Sequence, residues 1–228
     1  MRNYLQDFRI LQQLGEATMP KQPLRRGLYA VTPEEPDTRR LLLRVGRVLE
    51  QGIALLQYRN KGGDATLRAE QALALKLICL PYDVPLIVND DIALARAIQA
   101  DGVHLGDGDG DITAARDELG DRACIGVTCH GDLDRARYAK ARGADYLAFG
   151  AFHPSPSKPD ATLADPSVLR EAKALGLPLA AIGGIQPRHV GSLREAGADL
   201  IAVISGLWDA RDPTQAARAY IDAFGPED

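Results

Sequence analysis

The chain has few cysteines, no large excess of charge of either sign and no long apolar run, and each shortage closes off a class of function. Its three cysteines, Cys79, Cys124 and Cys129, are an odd number without the paired spacing of a metal-binding motif. Cys79 and Cys124 lie in apolar stretches as small core residues do, so a reducing, cytoplasmic interior is the expected home. The net charge is only -4 over 228 residues, which leaves no broad basic surface for nucleic acid. Any anion site must therefore be local. No apolar run reaches membrane-spanning length, and Met1 to Gln13 lack the basic-then-apolar order of a secretion signal. A soluble, unexported protein without a membrane partner is expected. Nor does a low-complexity linker divide the chain.

What the chain does have is 46% hydrophobic residues, enough for a substantial core, arranged in a regular alternation. Short apolar, β-branched runs recur eight times, at Gly27–Val31, Ile53–Arg59, Pro85–Asn89, Gly102–Leu105, Ala123–Thr128, Tyr146–Gly150, Leu179–Gly183 and Leu200–Ser205. Each is followed by an amphipathic stretch: Thr38–Gln51, Asp64–Leu80, Asp91–Gln99, Ile112–Leu119, Leu133–Arg142, Ser167–Leu175, Arg188–Ala196 and Pro213–Phe224. Apolar positions such as Leu67, Ala74, Leu75 and Ile78 keep helical spacing. Continuous apolar strands separated by single helices predict a parallel sheet covered on its outer face. Eight such units predict an α/β protein closed as a (β/α)8 TIM barrel, with an open doubly wound sheet as the alternative. Gln51-Gly52, Arg142-Gly143-Ala144-Asp145 and Ala196-Gly197-Ala198-Asp199 put a glycine where a left-handed helix cap belongs. The last two phrases suggest a recurrent helix-to-strand turn. Residues 1–23 read as an N-terminal extension, an accessory helix or a loose arm, and 24–228 as a single barrel domain.

In a parallel barrel the active site lies where the strand C-termini meet the following loops, and the chemistry-bearing residues collect there. The second strand ends in Gln57-Tyr58-Arg59-Asn60-Lys61. Strand alternation puts Gln57, Arg59 and Lys61 on one face and Tyr58 and Asn60 on the other, so one amide and two cations converge. Such a cluster on a buried strand asks for an anion, most simply a phosphate or diphosphate; a surface salt-bridge ladder is the plainer reading. The third strand ends in Asn89-Asp90-Asp91, and the fourth leads into a Gly/Asp loop containing Asp109. Two carboxylates meeting across the barrel mouth would repel unless a cation sat between them, and hard oxygen ligands beside cations suit Mg²⁺ bridging a diphosphate. The alternative is that Asp90 or Asp91 caps the next helix. Gly183-Gly184 after the seventh strand and Ser205-Gly206 after the eighth suit a backbone phosphate cradle, or plain turns. The loop Phe152 to Pro159 is stiffened by proline yet carries Ser155, Ser157 and Lys158, as a gate over a polar ligand or an exposed connector would. Adjacent Cys129 and His130 face opposite ways and make a poor nucleophile pair. His104 reads as a satisfied core histidine, while His153 and His189 carry no signal.

The ordered motifs Gln57-Tyr58-Arg59-Asn60-Lys61, Val88-Asn89-Asp90-Asp91, Asp101 to Gly106 with Asp109, Gly126 to His130, Gly150 to Lys158, Ala181 to Ile185 and Ile204-Ser205 resemble those of the thiamine-phosphate synthase family, over about Gly27 to Leu207. The resemblance implies a transferase that joins an aminopyrimidine methyl diphosphate to the nitrogen of a thiazole phosphate, forming thiamine phosphate and releasing diphosphate by a Mg²⁺-assisted dissociative substitution. It implies that Gln57, Tyr58, Arg59, Asn60, Lys61, Asn89, Thr128 and Lys158 hold the pyrimidine diphosphate, with Arg59, Lys61 and Lys158 catalytic. Asp90 and Asp109 would bind Mg²⁺, and Ser155, Pro156, Ser157, Gly184, Ile204 and Ser205 the thiazole phosphate. The chain departs from the family in having Thr128 where serine is frequent, serines at 155 and 157 where threonines are common, and a long N-terminal extension. Two rivals are a relative that only isomerises the thiazole phosphate and a sensor that only binds it. Retention of Gln57, Arg59, Lys61, Asp90 and Asp109 favours the synthase. A homo-oligomer is compatible with all three.

Overall fold

The computed structural model describes residues 23–108, 110–154 and 162–226. Eight short strands run parallel in chain order: β1 (Gly27–Val31), β2 (Leu55–Tyr58), β3 (Leu86–Asn89), β4 (Gly102–Leu105), β5 (Cys124–His130), β6 (Tyr146–Phe149), β7 (Leu179–Ile182) and β8 (Leu200–Val203). Each pairs with the next, and β8 returns to β1 with Ala202 opposite Tyr29, which closes the barrel and removes the open-sheet alternative. Each of the eight sequence stretches coincides with or overlaps its strand. The ends shift by one or two residues: β2 stops at Tyr58, one short of Arg59, and β5 runs on to His130.

Helices α1 (Thr38–Leu49), α2 (Ala65–Cys79), α3 (Ile92–Ala97), α4 (Ile112–Leu119), α5 (Leu133–Ala141), α6 (Ser167–Ala172) and α7 (Pro187–Ala196) return the chain between strands. After β8 come α8 (Ser205–Trp208) and α9 (Pro213–Phe224). Six helices start with an aspartate whose side chain accepts a first-turn N–H: Asp37, Asp64, Asp91, Asp111, Asp132 and Asp212. Those amides have no partner within the helix, and a carboxylate there also meets the positive end of the helix dipole. Strand-to-helix loops are thus fixed at the same rim where a barrel carries its chemistry. Among the described residues no helix is long and apolar enough to cross a membrane.

Alternation along each strand sorts the core into two layers. Leu28, Ala30, Leu56, Val88, Val103, Ile125 and Leu147 face outward and pack beneath the helices. Tyr29, Val31, Leu55, Ile87, Tyr146, Ala148, Ala180, Leu200 and Ala202 fill the barrel. Fully burying one such aliphatic side chain stabilises the fold by about 1.5–3 kcal/mol. Filling the interior requires small neighbours beside large ones. A Cβ on Gly126 would lie 2.0 Å from the Tyr146 ring, so the glycine of β5 makes room for the phenol of β6.

Candidate active site

The cationic cluster forms at the ends of β1, β2 and β3. The chain leaves β2 after Tyr58, so Arg59 and Lys61 project from a turn at the rim while Gln57 lies one layer deeper, 5% exposed, with Nε2 donating to the Tyr29 hydroxyl at 2.5 Å. The single converging triad expected from alternation is thus split between two depths. The opposite face behaves as expected: the Tyr58 hydroxyl and Asn60 Nδ2 both donate to Gln71 Oε1 on α2, at 2.9 and 3.1 Å. Buried Thr32 pins the turn, since its Oγ1 accepts from Arg59 N at 2.9 Å and donates to Arg59 O at 3.2 Å. Arg59 Nη1 lies 3.4 Å from Glu34 Oε1, and Lys61 Nζ lies 3.3 Å from Asp90 Oδ2. Lys61 is therefore the cation that meets Asp90, while Arg59 turns to the loop after β1.

Neighbouring Asp90 and Asp91 have different tasks. Asp91 caps α3 by accepting Leu94 N at 2.8 Å. Asp90 caps nothing: it sits at φ 62 and its Oδ2 takes Asn89 Nδ2 at 2.5 Å together with Lys61. A left-handed φ is uncommon for a residue with a Cβ, though aspartate tolerates it better than most. Lys61, Asn89 and Asp90, with Tyr58, Asn60, Arg68 and others, line a cavity of about 250 Å³. Asp90 offers hard oxygen ligands beside an ammonium, a donor set suited to Mg²⁺. Among the described residues no three His, Cys, Asp or Glu side chains gather at one point. Asp109, the expected second carboxylate, lies outside the described residues.

On the far side of the mouth Thr128 Oγ1 is 2.9 Å from His104 Nε2, and the other ring nitrogen, Nδ1, is 2.8 Å from the Tyr146 hydroxyl. His104 is the satisfied inward-facing histidine its sequence setting implied. Arg135 on α5 ties β5 to the loop after β4, donating to Thr128 O and Gly106 O and pairing with Asp107. His130 also meets Asp107, at 2.7 Å, and that contact, with Arg135 beside it, holds the Asp107 carboxyl below the ordinary range. Cys129 faces away; burial pushes its thiol up to about 12, and Sγ donates to Val127 O. A thiol so held is no nucleophile.

The loops after β6, β7 and β8 pack together. Phe152 N and His153 N donate to Ile182 O and Gly183 O, and a Cβ on Gly184 (φ 58) would lie 2.3 Å from Pro154 O. Gly184 thereby lets the segment entering Ser155–Lys158 lie directly on the loop after β7. His153 stacks on His189 of α7 at 3.7 Å between ring centroids; burial and then the Arg188 charge depress the His153 imidazole, while burial, then His153 and then Arg188 depress that of His189. Ser205 opens the short helix α8, directly after Ile204. Ser155, Pro156, Ser157 and Lys158 lie outside the described residues. Thr32, Glu34, Tyr29 and Tyr146 are not among the site residues expected from the sequence. Thr32 and Glu34 were visible in principle, because they follow a barrel strand as the other rim residues do.

A closed parallel barrel with its polar side chains gathered at the strand C-termini has the architecture of a (β/α)8 enzyme. Residues 28–207 match the family described as thiamine monophosphate synthase, and the chain belongs to that family. The thiamine-phosphate synthase of Xanthomonas campestris pv. campestris (strain 8004) is 52% identical over 206 residues, covering 90% of this chain and 99% of the relative. That of Xylella fastidiosa (strain Temecula1) is 47% identical over 205 residues, 90% of this chain and 87% of the relative. Among solved structures, the thiamine phosphate pyrophosphorylase of Pyrococcus furiosus superposes with a TM-score of 0.78 at 30% identity, covering 88% of this chain and 95% of that one.

Proposed function

We propose that the protein transfers the aminopyrimidine methyl group from its diphosphate to the ring nitrogen of a thiazole phosphate, giving thiamine phosphate and diphosphate. The observation that carries this reading is the rim pairing of Lys61 with a carboxylate, Asp90, that its neighbour Asp91 frees from helix capping. A chain that only isomerised or bound a thiazole phosphate would need the cradle after β7 and β8 but not this second, diphosphate-sized arrangement of charge.

Diphosphate leaves carbon readily only when its growing charge is neutralised. Arg59, Lys61 and Lys158 would be the cations for that task, and the substrate anion would replace Glu34 as the partner of Arg59. Gln57, Asn89 and Thr128 would hold the rest of the pyrimidine diphosphate, while Tyr58 and Asn60, both bound to Gln71, would shape the turn that carries Arg59 and Lys61. Ser155, Pro156, Ser157, Gly184, Ile204 and Ser205 would hold the thiazole phosphate, with main-chain N–H groups next to Gly184 and at the start of α8 turned to its oxygens. Asp90 and Asp109 would hold Mg²⁺, which when bound supplies further charge neutralisation on the diphosphate. An electron-rich aminopyrimidine can support positive charge on its methyl carbon as the C–O bond breaks, so the route is dissociative and asks for no protein nucleophile. The inert Cys129 is consistent with that.

Losing one positioned donor should cost on the order of 3 kcal/mol, roughly a hundredfold in rate. Steady-state kinetics of Arg59→Ala and Lys158→Ala should each show a fall in turnover of at least that size. EDTA should abolish product formation and Mg²⁺ restore it. Near wild-type rates in both variants, or full activity in EDTA, would remove the assigned roles.

A further inference from the structure

Beneath the rim, five side chains from five strands form an unbroken hydrogen-bonded chain across the barrel. Gln57 Nε2 lies 2.5 Å from the Tyr29 hydroxyl, which lies 2.7 Å from the Tyr146 hydroxyl. Tyr146 is 2.8 Å from His104 Nδ1, and His104 Nε2 is 2.9 Å from Thr128 Oγ1. Tyr29 and Tyr146 are 1% and 0% exposed, Gln57 and His104 5% and 8%; only Thr128 opens toward the mouth. Burial pushes both phenols well above the ordinary tyrosine range, so each keeps its proton.

Proton counting gives the chain a direction. Each hydroxyl has one proton to give and a neutral imidazole has one N–H. The Gln57 amide donates through Nε2, so Tyr29 accepts there, and giving its own proton to Tyr146 is the arrangement in which that buried proton meets an acceptor within the chain. In that arrangement Tyr146 gives its own to His104 Nδ1, which is then bare. The imidazole proton then sits on Nε2 and goes to Thr128, whose hydroxyl proton is left for a bound molecule. At the other end the carbonyl Oε1 of Gln57 is the half of the amide not held by Tyr29.

We propose that these five groups are a one-way relay that sets the donor–acceptor pattern of the pyrimidine subsite: an acceptor at Gln57 Oε1 and a donor at Thr128 Oγ1. Tyr29, Tyr146 and His104 are then positioning residues that fix specificity without touching substrate. The assignment rests on the aminopyrimidine reading above. It explains how the site reads an amino substituent: an N–H donor meets the Gln57 carbonyl, whereas a carbonyl in its place would face another carbonyl and leave both buried acceptors unpaired. A site built around a substrate N–H rejects such an analogue by on the order of a hundredfold or more.

The direction of the relay is tested on the substrate-free full-length chain by ¹⁵N NMR of histidine. The chain holds four histidines, and the His104 signals are assigned by their loss in His104→Gln. The expected pattern at neutral pH is a protonated Nε2 and a bare Nδ1, turning to a mixture of tautomers in Tyr146→Phe. A protonated Nδ1 in the wild type, alone or with Nε2, overturns the relay whatever reaction the protein performs. Kinetics test its purpose. Tyr146→Phe should raise KM for the aminopyrimidine diphosphate roughly tenfold while leaving KM for the thiazole phosphate unchanged. It should also narrow the discrimination against the hydroxypyrimidine diphosphate analogue by a similar factor. Tyr29→Phe, which cuts the relay one link earlier, should behave alike and serves if the first variant folds poorly. Equal rises in both KM values, or unchanged discrimination, mark a purely structural network and overturn the proposal. Absence of any thiamine phosphate from the wild type would sink the parent reading alone, since the tautomer result stands apart from it.

Discussion

Asp90 and Asp91 are chemically identical and adjacent, yet backbone geometry separates one from the other completely. Asp91 has an extended backbone and satisfies a first-turn amide of α3; Asp90 is thrown to φ 62 and faces Lys61. Asp91→Ala should therefore lower unfolding stability by about 1 kcal/mol through the lost cap. Asp90→Asn should leave stability nearly unchanged, because asparagine tolerates a left-handed φ, but should cut turnover at least tenfold if Asp90 holds Mg²⁺. Chemical denaturation and steady-state kinetics on the two variants separate these outcomes; the reverse pattern would exchange the roles. The sequence could say that carboxylates stand at this rim but not which one caps, since that depends on a single torsion. It likewise placed Arg59 with Lys61 but could not show that Glu34, from a strand end passed over, holds the guanidinium.

Elements are fixed as firmly at the opposite, N-terminal face. Asp101, Asp145 and Asp199 immediately precede β4, β6 and β8, and each accepts a main-chain N–H from the preceding strand: Leu86, Ile125 and Leu179 respectively. Each also meets a cation, Lys76, Arg116 and Arg26. These three clamps tie odd strands to even ones, away from the chemistry. Two were legible as the repeated Gly-Ala-Asp phrase. The third was hidden because Gln99 stands where the glycine belongs, at φ 52, against φ 94 at Gly143 and φ 120 at Gly197. A side chain in that region is strained, and glycine relieves the strain at some cost in unfolded-state entropy. Gln99→Gly should raise stability by about 0.5 kcal/mol, seen as a higher denaturation midpoint with unchanged slope; a clear loss would mean that the side chain contributes more than the strain costs. Helix α8 escaped the sequence reading for another reason, since four residues are too few to display a helical period.

At the scale of the molecule, the alternation of eight apolar runs with eight amphipathic ones was enough to read the closed barrel, because strand and helix periods survive in one dimension. The rim was legible for the same reason: whatever follows a strand lies there. The barrel interior was not. Tyr29 and Tyr146 are 117 residues apart and belong to non-adjacent strands, so their contact exists only once closure is complete. In the proposed reaction the rim gathers positive charge to draw diphosphate away from the pyrimidine carbon and pass that carbon to the thiazole. Incubating the purified chain with both substrates and Mg²⁺, and following products by mass spectrometry and ³¹P NMR, tests it most directly. Thiamine phosphate and diphosphate should appear in equal amounts; binding or isomerisation of the thiazole phosphate with no diphosphate released would contradict it.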